Sequence, residues 1–160
     1  MLDFRLFARV TPLALALALP ACDGEETTMD SGNDDAAATL CESEDRVDDF
    51  AVDLTKSGER HMVRVVAAEP AEPIRGDNTW TVQVTDADGT PLEGMTIDAS
   101  PWMPDHGHGT AVEEEVVELS AGEFELSPLN LFMAGYWEVT LELTDAEGGT
   151  DEVMVAVCVE

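Results

Sequence analysis

The chain is 160 residues long, and its 7 lysines and arginines face 35 aspartates and glutamates, for a formal net charge of −28. That balance repels phosphate backbones and anionic headgroups, which excludes nucleic acid as a partner. A hydrophobic fraction of 44% is that of a folded domain, so the acidity belongs to its surface, and the length predicts one domain.

Residues 1–21 read as an export signal. Arg5 and Arg9 form a positive leading region, and the alternating Leu and Ala of residues 13–19 form an apolar stretch too short to span a bilayer. Leu19-Pro20-Ala21-Cys22 has the form of a bacterial lipobox, in which the signal is removed and Cys22 carries lipid. The other reading is a plain secretory signal with a chance cysteine. The expected protein is exported and lipid-anchored to the bacterial cell envelope, facing the periplasm or the surface, with the bilayer as its first partner. Residues 22–40 are acidic and show no apolar period, so they predict a flexible linker ahead of a domain over 41–160. With Cys22 lipidated, Cys41 and Cys158 remain, and an even pair in an oxidising compartment predicts a disulfide. Closing nearly the whole domain in this way stabilises by about 4–5 kcal/mol on the chain-entropy model. The alternative is two free thiols assisting a metal site, although neither is near a histidine in sequence.

Residues 42–60 place Val47, Phe50, Val52 and Leu54 among charges, which fits a short helix or an edge strand. Strands are predicted from His61 to Ala68, ending at Pro70 and Pro73, and over residues 80–85, where Trp80, Val82 and Val84 share one face. A turn at residues 86–91 leads to a strand over 95–100. Further strands are expected at 112–119, 123–126, 137–143 and 153–159. In the last of these the odd-numbered valines share a face and Cys158 points the other way. About seven short strands and no long helix predict an all-β antiparallel sandwich, with Trp80 and Trp137 in its core.

One stretch carries chemistry: Pro101-Trp102-Met103-Pro104-Asp105-His106-Gly107-His108-Gly109. Its prolines and glycines predict a loop or a ragged strand end. If the backbone is extended there, His106 and His108 project to one side, with Met103 close enough upstream to join them. Two imidazoles and a thioether suit copper far better than magnesium or calcium. The competing reading makes Gly107 and Gly109 a turn with the histidines at its tip. Trp102 either shields a Cu(I) site or lies on the surface. His61 and Met62 form another pair, but a lone histidine at a strand start reads as solvated. Asp86-x-Asp88-Gly89 fails as an EF-hand, because Pro91 and Ile97 stand where Gly and Glu are required. No Gly-x-Ser-x-Gly elbow and no phosphate-cradling glycine loop is present, so no enzyme is expected.

Trp80-Thr81-Val82-Gln83-Val84, the Met103-Pro104-Asp105-His106-Gly107-His108 motif and Leu131-Phe132-Met133-Ala134-Gly135-Tyr136-Trp137-Glu138-Val139 together resemble the YtkA-like family over about residues 75–145. Its members are small exported domains, often lipoproteins, loosely related to FixH-type proteins. The resemblance implies an immunoglobulin-like antiparallel β-sandwich of about seven strands and points toward copper handling or oxidase assembly. Carried over by residue, the metal ligands are Met103, His106 and His108, joined by Met133, whose alternative role is core filling beside Leu131 and Phe132. The expected function is an exported lipoprotein that binds copper ion through a Met/His loop, with Cu(I) preferred over Zn(II). Its partner would be a copper donor or acceptor, or an oxidase-assembly protein. The alternative is an immunoglobulin-like envelope interaction or structural module with no metal.

Overall fold

Alternation of apolar and polar residues writes most of the strands, and side chains on successive positions face opposite sides of each sheet. The computed structural model describes residues 39–160. The export signal, the lipobox with Cys22 and the linker up to residue 38 lie outside the described residues. The strands are β1 (Thr55–Ser57), β2 (His61–Glu69), β3 (Gly76–Asp86), β4 (Thr96–Met103), β5 (His108–Gly109), β6 (Glu115–Ser120), β7 (Glu123–Leu131), β8 (Gly135–Thr144) and β9 (Thr150–Val159). They form two antiparallel sheets, ordered β1-β2-β3-β7-β6 and β5-β4-β8-β9. The all-β sandwich expectation holds.

The core lies between the sheets. Trp80, Val82 and Val84 of β3 meet Trp137, Val139, Leu141 and Leu143 of β8, all buried in one cluster with Val153, Val155, Val157 and Val159 of β9. Both tryptophans are core residues, as their place at the head of alternating strands predicts. Phe50 packs on Trp80 with ring centroids 4.8 Å apart, which brings the N-terminal segment onto this core.

Among the described residues nine strands are present where about seven were expected. The two extra ones, β1 and β5, have three and two residues and are too short to show a period. The segment 42–60, expected to form a short helix or an edge strand, holds the edge strand β1, preceded by a single 3-10 turn at Cys41–Ser43. Two prolines also sit inside strands, where they usually argue against one. Pro101 pairs with Val139 of β8, while the pairing of β4 with β5 begins only at Trp102. Pro128 lies in β7 just past Ser127, the last β7 residue paired with β6, so its missing N–H costs no bond there. β7 therefore runs on past Leu126 to bury Leu129 and Leu131.

Cys41 and Cys158 are joined in a disulfide across 117 residues, with Cα atoms 5.5 Å apart. It fixes the start of the domain to its last strand. His61 departs from expectation. It is 4% exposed rather than solvated, with Nδ1 3.4 Å from Asp151 Oδ2 and Nε2 3.9 Å from Asp145 Oδ2. Asp151 is buried beside it and accepts the backbone N–H groups of Glu59, Arg60, His61 and Glu152 at 2.8–2.9 Å. Burial alone would raise its pKa, but those four donors hold the carboxyl at about 2.

Candidate metal centre

β4 carries the chain to Met103, residues 104–107 reverse it, and β5 carries it back through His108. The amides of His106 and Gly107 both donate to Met103 O, at 3.1 and 2.8 Å. Gly107 has φ +68, the left-handed conformation that this reversal needs and that glycine adopts freely. The backbone is thus turned rather than extended across His106 and His108, and the premise that put them on one side of a strand does not hold. The two rings nevertheless converge, with centroids 5.6 Å apart. Two imidazoles bound to one metal hold their centroids within roughly 6 Å of each other, given metal–nitrogen distances near 2 Å.

Met103 and His108 are directly opposite one another in the β4–β5 pair. Such partners lie on the same face with Cβ atoms about 4.5–5.5 Å apart, which puts a thioether stem beside His108. The Met103 side chain turns inward and is 1% exposed. Its methyl lies 2.9 Å from where a Cβ on Gly135 would be, too close for one, and Gly135 itself has φ +130. Only glycine meets both conditions, a physical reason for the glycine in Met133-Ala134-Gly135-Tyr136-Trp137.

The loop between β7 and β8 closes the other side. Phe132 stacks on the His108 ring at 5.4 Å, and Trp137 meets that ring edge-on at 6.3 Å. Trp137 Nε1 donates to Met133 O at 2.9 Å, which holds this loop against β8. Met133 is half-buried and packs on the core, consistent with core filling. Trp102 is 45% exposed and alternates with the buried Pro101 and Met103, so it lies on the outer face of β4, away from the Met103 side chain.

His108 Nδ1 lies 3.3 Å from Gly109 O. A carbonyl only accepts, so a neutral ring making that bond carries its proton on Nδ1 and its lone pair on Nε2. A backbone carbonyl behind one nitrogen is the usual support for an imidazole that binds metal through the other. Among the described residues no group of three or more His, Cys, Asp or Glu is placed to hold a metal. His106 and His108 are thus two donors without a third of these residue types beside them. The two sequence motifs meet at this point through Phe132, Trp137 and Gly135.

Arg46 was missed in the sequence. It donates from Nη1 and Nη2 to the two oxygens of Asp105 at 2.9 and 2.6 Å. It also donates to Glu44 at 2.7 and 2.6 Å, and lies 4.0 Å above the Tyr136 ring. The guanidinium holds both carboxyls below their usual range, and the carboxylates in turn raise the arginine. Burial and the hydrogen bond to Glu138 push Tyr136 up to about 12, so it stays neutral beneath the cation. The only signal in the sequence was scarcity: Arg46 is one of 7 cationic residues.

A family model described as YtkA-like matches residues 58–142, just over half of the chain. No curated protein matches the chain.

Proposed function

The chain belongs to the YtkA-like family, and from that premise we propose that it is an exported lipoprotein that binds copper as Cu(I) through His106 and His108. The reading is carried by the convergence of the two imidazoles, 5.6 Å apart, from a turn and from the adjoining strand. Met103, opposite His108, supplies the thioether, and Met133 is the reserve donor from the neighbouring loop. Copper is cargo here: the protein buffers it or passes it to an acceptor, such as an oxidase-assembly protein, and performs no reaction on it. Cys22 carries the lipid and the acidic linker sets the domain off from the bilayer.

The test is Cu(I) competition against a chromogenic chelator, using the exported chain with Cys22→Ser so that it stays unlipidated. Tight one-to-one binding that is lost in the His106→Ala/His108→Ala variant supports the reading. Equal chelator competition by the parent and the double variant overturns it.

A second reading rests on a different observation. Phe132 beside the histidines and Trp102 on the outer face of β4 are 46% and 45% exposed. Exposed aromatics of this size suit an interaction module, in which the histidine turn would touch an envelope partner without metal. A partner crosslinked equally well in the presence of a chelator would favour it.

A further inference from the structure

The turn that carries His106 also carries Asp105, an oxygen donor directly adjacent in the chain. Carboxylates complete zinc sites alongside imidazole and suit harder metals than thioethers do. A free carboxylate here would change what the two histidines select. It is not free, because each Asp105 oxygen accepts from a separate nitrogen of Arg46. An isolated exposed ion pair is worth little, but this one is built differently. The same guanidinium grips Glu44 as well and sits 4.0 Å above the Tyr136 ring, so it is held from three sides.

The arm bearing Arg46 is held too. The disulfide at Cys41 fixes it to β9 on one side. On the other, Asp48 N donates to Ala156 O at 2.9 Å, and Ala156 N donates to Asp48 Oδ2 at 2.8 Å. Tyr136, the floor under the guanidinium, is the register partner of Cys158. Arg46 thus stands on a platform made of β8, β9 and the disulfide, and reaches across to the histidine turn.

Resting on the copper reading above, we propose that Arg46 is a specificity-determining residue that keeps the Asp105 carboxylate out of the His106/His108 donor set, so that thioether completes the set and Cu(I) is preferred over Zn(II). Lysine replaces it only in part, because a single ammonium has no planar fork to occupy both oxygens.

The experiment titrates Zn(II) alone and Cu(I) alone into the Cys22→Ser chain and into Arg46→Ala, Arg46→Lys and Arg46→Ala/Asp105→Asn made in it. Arg46→Ala is expected to tighten Zn(II) about tenfold without tightening Cu(I), the scale of effect that neighbours of metal ligands have. Arg46→Lys gains Zn(II) affinity in part, and the double variant returns to the parent. Arg46→Lys keeps the charge and the stem, so it carries the comparison if Arg46→Ala does not fold. A metal-free reading accompanies it: amide exchange at His106 and Gly107 is faster in Arg46→Ala. Unchanged Zn(II) affinity in both single variants, or a gain that persists in the double variant, overturns the proposal. Absence of Cu(I) binding by the parent would instead overturn the copper reading, while the Zn(II) comparison and amide exchange still decide the role of Arg46.

Discussion

Replacing Asp151 by Asn probes the buried end of the sandwich, where a carboxylate rather than an apolar side chain closes the gap between β2 and β9. Oδ2 accepts from Arg60 N and His61 N at 2.9 and 2.8 Å, and Oδ1 accepts from Glu59 N and Glu152 N, both at 2.9 Å. Asparagine keeps one of these oxygens and turns an NH2 toward the other two donors, so two charge-assisted bonds are lost and two part-buried or buried N–H groups are orphaned. The carboxyl sits at about 2 in the fold against an ordinary value of 3.8, a difference worth roughly 2–3 kcal/mol. Because the folded pKa is depressed, that stability is fully present above the unfolded value and is lost as pH falls toward 2. Urea denaturation of parent and Asp151→Asn across pH 7 to 2 isolates this contribution, since self-repulsion among the other carboxylates is common to both. The expected gap is about 2–3 kcal/mol at pH 7, narrowing below about pH 4. A gap that stays constant down to pH 2, or none at pH 7, would refute the reasoning.

Gly135→Ala forces a Cβ onto a φ of +130 and against the Met103 methyl, and should cost roughly 1–3 kcal/mol. Chemical denaturation together with the shift of the Met103 methyl resonance checks it, and a change within about 0.5 kcal/mol would contradict the close approach. Reducing the Cys41–Cys158 bridge, which spans 117 residues, should lower stability by about 4–5 kcal/mol on the chain-entropy model while the far-ultraviolet signature of the sandwich persists. Two free thiols in the intact mass of the exported protein would contradict the bridge.

The strands with one face fully in the core were legible because burial imposes a period of two: Trp80, Val82 and Val84 in β3, and the odd-numbered valines of β9. β5 and the tail of β7 were not. Two residues carry no period, and Pro128 reads as a stop unless it is known that β6 begins opposite Ser127. The same limit applies to the site. The histidine motif was visible because its donors lie within a few residues of one another, and the cysteine pair because few cysteines remained to choose from. Arg46 is 59 residues from Asp105, and only the topology brings them together. His61 was misread for the same reason, since the carboxylate that buries it is 90 residues away among 35 acidic residues that look alike in sequence.

The chain has three histidines, two in the candidate site and one, His61, buried at another place in the sandwich, so they serve as a built-in comparison. The most direct test adds Cu(I), which is diamagnetic, to the isotopically labelled Cys22→Ser chain and follows the three imidazoles and the Met103 and Met133 methyl groups by NMR. Metal binding at the proposed site predicts that His106, His108 and the Met103 methyl shift together and saturate at one equivalent, with His61 unmoved. Movement at His61 and scattered carboxylates, or none at His106 and His108, would contradict it.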